Sequence, residues 1–153
     1  MTEHATYEEY LKSNERLISP FKGTSMMPLL KQGRDVFVVQ RKGEERFQKC
    51  DVVLYRRPPK SYVLHRIIAV REQDYVILGD NCIRKEYGIT DDDILGVMVG
   101  YVRKGKERWV TDCAYRIYSF VWMHTSALRI LWLRLRGVAA RAFRKLFPNR
   151  NRA

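Results

Sequence analysis

The chain has 153 residues, 29 Lys or Arg against 17 Asp or Glu, and 46% hydrophobic side chains. That is enough for one domain with a packed core, and it excludes global disorder. The net charge of +12 is local: from Cys113 onward there are nine basic and no acidic residues, which leaves 20 basic and 17 acidic residues in the first 112. The front is therefore a nearly balanced globular body, and the tail is of the kind that seeks an anionic surface. Cys50, Cys82 and Cys113 form no CxxC pair and no metal-ligand spacing, so no metal and no other cofactor is expected, and a reducing, intracellular location fits them best. The opening "MTEHATYEEYLKSNERL" is too charged for a secretory signal peptide.

In chain order, residues 6–18 read as an amphipathic helix, within an N-terminal unit of residues 1–18. Thr6 and Glu9 fit a capping box, and Tyr7, Tyr10, Leu11, Leu17 and Ile18 fall roughly on one face. Next comes "FKGTSMMPLL", which places a lone serine between a glycine turn and two methionines, with Pro28 three residues on. A solvent-facing turn would favour Asn, Asp or Gly over paired methionines, and a buried strand would not break at proline. From 35 to 103 short β-branched runs follow one another: "DVFVVQR", "DVVLYRR", "SYVLHRIIAVR", "DYVILGD" and "ILGVMVGYVRK". Turns such as "RKGEE" and "RRPPKS" separate them, so residues 19–108 predict a mainly β domain, a compact, bent antiparallel sheet or small barrel. Residues 112–148 change to Leu, Trp, Ala and Arg. They read as a basic helical tail with Gly137 as a possible break and Pro148 as a stop. The longest run there without Lys or Arg, Ile117 to Leu128, is shorter than the roughly 20 residues a membrane span needs. The expected arrangement is an in-plane amphipathic helix, with Tyr115, Tyr118, Trp122 and Trp132 at interface depth and arginines toward headgroups. A helix packed on the domain's own sheet is the alternative.

A serine hydroxyl is a weak nucleophile without a base. Of the three histidines, His4 lies near the terminus and His124 in the tail, whereas His65 sits inside the apolar strand "YVLHRIIAV". Alternation sends Leu64 and Arg66 to the face opposite His65, and a buried imidazole needs a polar partner. Asp80, in "ILGDN", ends a strand and is a candidate orienting acid, as are Glu86 and the run Asp91–Asp93. Each of these has an ordinary reading too: a satisfied structural histidine, a turn, a solvated acidic loop.

Taken together, these segments resemble the superfamily of signal peptidase I and LexA-like serine peptidases over about residues 20–105. "GTSMMP" is similar to its nucleophile box, "GRDVFVV" to the strand that follows, and "KCDVVLYRR" to its Gly-Asp-Val-Val strand with Cys50 in the glycine's place. "VLHRIIAV" is similar to the base-bearing strand, with His65–Arg66 as in the archaeal and reticulum type rather than a lysine. "ILGDN" resembles the Gly-Asp-Asn box and "ILGVMVGYVRK" the closing strand. The resemblance implies Ser25 as nucleophile, His65 as general base and Asp80 as orienting acid. Glu86 is the alternative, because it stands where the related enzymes carry a second aspartate. It further implies an oxyanion site at the Ser25 N–H, with Thr24 as a second contributor since Gly23 has no side chain to offer. Met26 and Pro28 would border the substrate.

The expected activity is a serine endopeptidase acting on an extended peptide or precursor protein at the cytoplasmic face of a membrane, with the tail on anionic lipid; a soluble cytoplasmic enzyme is the alternative. The N-terminal anchor, the second substrate-facing domain and the DNA-binding domain found in various members have no counterpart in these motifs. A non-catalytic peptide-binding module of the same fold is the rival reading. Binding of nucleic acid is not expected, because the basic residues lie in an apolar helix rather than on a stacking surface.

Overall fold

The structure is a computed structural model and describes residues 6–59 and 61–146. Eight antiparallel strands form one curled, half-barrel sheet, flanked by three helices. The elements are α1 (Tyr7–Ser13), β1 (Arg16–Pro20), β2 (Asp35–Arg41), β3 (Val52–Arg57), β4 (Ser61–Val70), β5 (Tyr75–Leu78), β6 (Glu86–Ile89), β7 (Ile94–Arg103), β8 (Lys106–Trp109), α2 (Cys113–His124) and α3 (Ser126–Leu146). The sheet order is β1-β2-β7-β3-β4-β5-β6, with β8 on β7. The expected mainly β fold with a short helix in front and a helical tail behind is what the chain adopts.

β3 is central in the order, and this explains why Val52 to Tyr55 are all buried. Alternate side chains enter two separate cores. Val52 and Leu54 pack with Leu11, Met26, Leu30, Phe37, Val39 and Met98, while Val53 and Tyr55 pack with Phe47, Ile67, Tyr75 and Ile77. β2 borders one core only, and there Asp35, Phe37 and Val39 alternate with half-buried residues.

The N-terminal helix is shorter than expected. The capping box of Thr6 and Glu9 is present, but the helix ends at Ser13, and Leu17 and Ile18 belong to β1, paired with Val39 and Val38. Strand alternation buries Leu17 and Ser19 and turns Ile18 outward. The tail bends at Thr125, not at Gly137, which lies inside α3. His4 and Pro148 lie outside the described residues. Among those residues no helix is long and apolar enough to cross a membrane, and no cluster of His, Cys, Asp or Glu has the makings of a metal site.

α2 packs inward. Tyr115, Tyr118, Ser119 and Trp122 recur at helical spacing and cover Arg66 in the middle of β4 and Asp80 in the turn after β5. This corrects the expectation that Tyr115, Tyr118 and Trp122 sit at a membrane interface: Tyr115 is buried, the Tyr118 hydroxyl donates to Asp80 at 2.9 Å, and the Trp122 indole donates to the Asp80 carbonyl at 3.1 Å. Trp132 does face outward.

At Cys50, just before β3, the backbone adopts φ 84°, a conformation that suits glycine and costs a side chain roughly 1–3 kcal/mol. The resemblance places a glycine at this position, and the Cys50 backbone takes a conformation that glycine favours. Cys50 is fixed there by its N–H to the Ile67 carbonyl at 2.9 Å and by its carbonyl, which accepts from Arg66 at 3.0 Å. Cys50→Gly should therefore stabilise the fold by about 0.5–1 kcal/mol after the entropy of the freer unfolded chain is subtracted. Differential scanning calorimetry should show a Tm roughly 2–4 °C higher.

Candidate active site

Ser25 opens a turn over residues 25–29, between β1 and β2. Its apolar neighbours explain the paired methionines. Met26 and Leu30 are completely buried, and the Leu30 N–H donates to the Met26 carbonyl at 2.9 Å. The turn is thus anchored by its hydrophobic side chains and leaves Ser25 half-buried at the lip of a groove of about 910 Å³. His65 and Glu86 line the same groove.

His65 stands opposite Val53 in the β3–β4 register, on the face that carries Tyr55 and Arg57. Its Nδ1 lies 3.1 Å from Glu86 Oε1 and 3.3 Å from the Tyr55 hydroxyl. Glu86 opens β6 and is also gripped by Arg57, whose Nε donates to Oε2 at 2.8 Å and whose Nη2 donates to Oε1. Burial alone would raise the Glu86 pKa. The hydrogen bonds from His65, Arg57 and Tyr55 outweigh it and lower the value from 4.5 to about 2. An ionised carboxylate at Nδ1 selects the tautomer with the proton on that nitrogen and leaves Nε2 as the acceptor. Nε2 is buried at the groove and has no hydrogen-bond partner among the described residues. Ser25 Oγ is therefore in the same cleft as the base, but not in hydrogen-bond contact with it.

The turn after β5 joins the two halves. The Asn81 N–H donates to the Ser25 carbonyl at 2.7 Å, and the Asn81 side-chain amide donates to the Thr24 carbonyl at 3.2 Å. Gly79 is required by space. A Cβ there would stand 2.8 Å from His65 Nε2, 2.9 Å from the Ser25 carbonyl oxygen and 2.7 Å from Cys82 Sγ. Only a residue without a side chain lets the serine turn close on the imidazole. Gly79→Ala should cost about 1–3 kcal/mol through overpacking and, by displacing the Ser25 turn, lower any Ser25-dependent turnover by roughly 10–100-fold. A thermal melt beside a rate measurement separates the two effects.

Asp80 does not orient His65. It is completely buried and forms a two-point pair with Arg66, Nε to Oδ1 and Nη2 to Oδ2, each at 2.9 Å. The third guanidinium nitrogen, Nη1, reaches the Cys50 carbonyl at 3.0 Å and Ser119 Oγ at 2.9 Å. Alternation is the reason: Arg66 follows His65 on β4 and so leaves by the opposite face, where Asp80 waits under α2. The carboxylate that touches His65 is Glu86, which was the alternative. Tyr55 and Arg57 were missed by the sequence reading, although the alternation of β3 puts both on the His65 face.

Of the other expected residues, Thr24 is exposed just before the turn, and the Ser25 N–H makes no hydrogen bond among the described residues. Met26 cannot touch substrate, because it is an anchor in the core. Pro28 lies away from the groove, its carbonyl accepting from Arg103 at 2.7 Å beside Tyr101.

The carboxylate predicts a pH signature. A group whose folded pKa is lowered contributes stability that is present above its unfolded value and lost as pH falls through the folded one. For Glu86 that window runs from about pH 4.5 down to about 2. Urea melts should show a loss of stability across that window, and Glu86→Gln should remove part of its slope.

No family model, no curated protein and no solved structure matches this chain.

Proposed function

We propose that the protein is a serine endopeptidase in which Ser25 attacks a peptide carbonyl and His65, oriented by Glu86, takes the hydroxyl proton. The observation that carries this reading is the convergence on one groove of Ser25, a buried imidazole with an unpaired Nε2, and an ionised carboxylate on its Nδ1. Nδ1–H···Glu86 stabilises the imidazolium that forms, and the Ser25 N–H, unengaged among the described residues, is the donor offered to the developing oxyanion. The proton goes from Oγ to Nε2 and then to the leaving amine, and water hydrolyses the acyl-serine by the same route in reverse. The resemblance to the signal peptidase and LexA-like superfamily supports the same roles for Ser25 and His65.

The groove suits an extended polypeptide. β5 pairs with β4 only from Arg66 onward, so Ser61–His65 have a partner strand on the β3 side alone. Tyr62, Val63 and Leu64 of that free edge line the groove leading to His65. A substrate strand added there would form main-chain hydrogen bonds with its scissile bond delivered beside Ser25.

The membrane reading concerns α3. Leu128, Leu131, Trp132, Leu135 and Val138 are exposed at helical spacing, and the segment contains arginines and no acid. Such a stripe suits attachment to an anionic membrane surface, at the cytoplasmic face.

The gap between Ser25 Oγ and Nε2 also suits a peptide-binding module without catalysis. The test is incubation of the full chain with an unfolded casein, with products sequenced by mass spectrometry, beside peptide mapping after exposure to a serine-directed phosphonate. Cleavage products and a phosphonylated Ser25 are expected. Intact casein and an unlabelled Ser25, with the peptide still bound, would leave the module as the correct reading.

A further inference from the structure

We propose that the groove selects acidic polypeptide, with Lys22, Arg84, Lys85 and Arg136 contacting carboxylates on either side of the scissile bond; this substrate class rests on the peptidase reading of the same site. The motivating observation is the one-sided charge of the lining. The groove wall carries Lys22 from the strand-to-turn segment before Ser25, Arg84 and Lys85 from the loop before β6, and Arg136 from α3. Its one acid, Glu86, is already neutralised by Arg57. Lys22, Arg84 and Lys85 are exposed and form no salt bridge among the described residues. The adjoining cavity continues the pattern: Arg84 and Lys85 line it too, together with Lys49 and Arg134, and no carboxylate borders it among the described residues.

Three cations without a salt bridge among the described residues, with Arg136 beside them, raise the potential of one cleft and concentrate anions there. The shape identifies which anion. The unpaired β4 edge offers main-chain donors and acceptors to an extended backbone, which a polypeptide satisfies and an oligonucleotide does not. The groove also lacks a row of exposed aromatic rings for base stacking; among its lining aromatics Phe21 is buried in the core and Tyr62 is half-buried beside Tyr7. A peptide with Asp or Glu flanking the reactive carbonyl would place its backbone on β4 and its carboxylates on the lining cations Lys22, Arg84, Lys85 and Arg136.

The test uses the full chain with Ser25→Ala, so that binding is read without turnover, and a fluorescein-labelled decaglutamate as probe. Anisotropy at low salt should show binding. Arg84→Glu/Lys85→Glu should weaken it at least tenfold, whereas Arg16→Glu/Lys106→Glu, an equal change of net charge outside both cavities, should leave it within twofold. A ten-nucleotide oligothymidylate should bind more weakly than decaglutamate. In parallel, the wild-type chain is given a proteome-derived peptide library, where cleaved bonds should be enriched for flanking Asp and Glu, and the groove reversal should remove that enrichment. Absent decaglutamate binding, equal losses in both reversals, or tighter binding of the oligonucleotide through Arg84 and Lys85 would each overturn the assignment. Decaglutamate binding as described without any library cleavage would keep the acidic selectivity and sink the peptidase. Library cleavage with no acidic enrichment would do the opposite.

Discussion

Ser25→Ala should lower kcat/KM on any peptide the protein cleaves by at least about 10³-fold, with the melting temperature within a degree or two of the parent. The stability half of this expectation comes from the packing. The turn is held by Met26, Leu30 and the Asn81 hydrogen bonds to main-chain carbonyls, none of which uses the Ser25 hydroxyl. The activity half comes from Nε2, which has no hydrogen-bond partner among the described residues and shares its groove with the Ser25 hydroxyl. Glu86→Gln should cost roughly 10²–10⁴-fold in kcat with little change in KM. A glutamine amide can donate to Nδ1, which moves the imidazole proton to Nε2 and removes the base. Full activity in Ser25→Ala would remove the serine mechanism. Unchanged kcat in Glu86→Gln would remove the orienting role of the carboxylate while leaving Ser25 and His65 intact.

The second large effect is structural. Arg66 and Asp80 are both about 1% exposed and bonded at two points. Burial alone would lower the Arg66 pKa, but the Asp80 carboxylate more than offsets it and keeps the guanidinium charged. Removing one member leaves the other as an uncompensated buried charge, at a cost of about 3–5 kcal/mol. Asp80→Ala should therefore lower Tm on the order of 10 °C, a large fraction of the stability of an ordinary domain. It also strips the Tyr118 hydroxyl of its acceptor, so near-ultraviolet circular dichroism should report loosening of α2 before the sheet unfolds. Replacing both partners with apolar residues, Arg66→Met with Asp80→Leu, should cost less than either single change. If the double variant is as unstable as the sum of the singles, the pair is not acting as a unit.

The strands were legible where composition and position agree. β2, β3, β4, β5 and β7 are runs of β-branched and aromatic residues, buried on one or both faces, and each matches a run read directly from the sequence. β6 and β8 are short and largely exposed edge elements, Glu-Tyr-Gly-Ile and Lys-Glu-Arg-Trp, with no apolar alternation to read. β1 was hidden because Leu17 and Ile18 continue the helical spacing of Tyr7, Tyr10 and Leu11; only pairing with β2 decides the matter. The Ser25 turn and the His65 strand were legible from local motifs. Which carboxylate stands beside His65 was not, since Asp80 and Glu86 are six residues apart and the decision depends on which face each approaches. A signal was available. An arginine inside a strand with apolar neighbours needs a two-point carboxylate partner, and Arg66 claims Asp80, leaving Glu86 for the histidine. The same omission explains the aromatic residues of α2, which looked outward only while their buried acceptor was unknown.

His65 and Arg66 are consecutive, and they face away from each other: one toward the cleft, the other into the seam beneath α2. A fragment trimmed after Asp112 would thus lose more than an appendage. It would uncover the Arg66–Asp80 ion pair to solvent, take the Ser119 hydroxyl from the guanidinium and the Tyr118 hydroxyl from the carboxylate, and slacken β4 one peptide unit from the imidazole. Engineers seeking a minimal version of this molecule should count the second helix as part of its chassis.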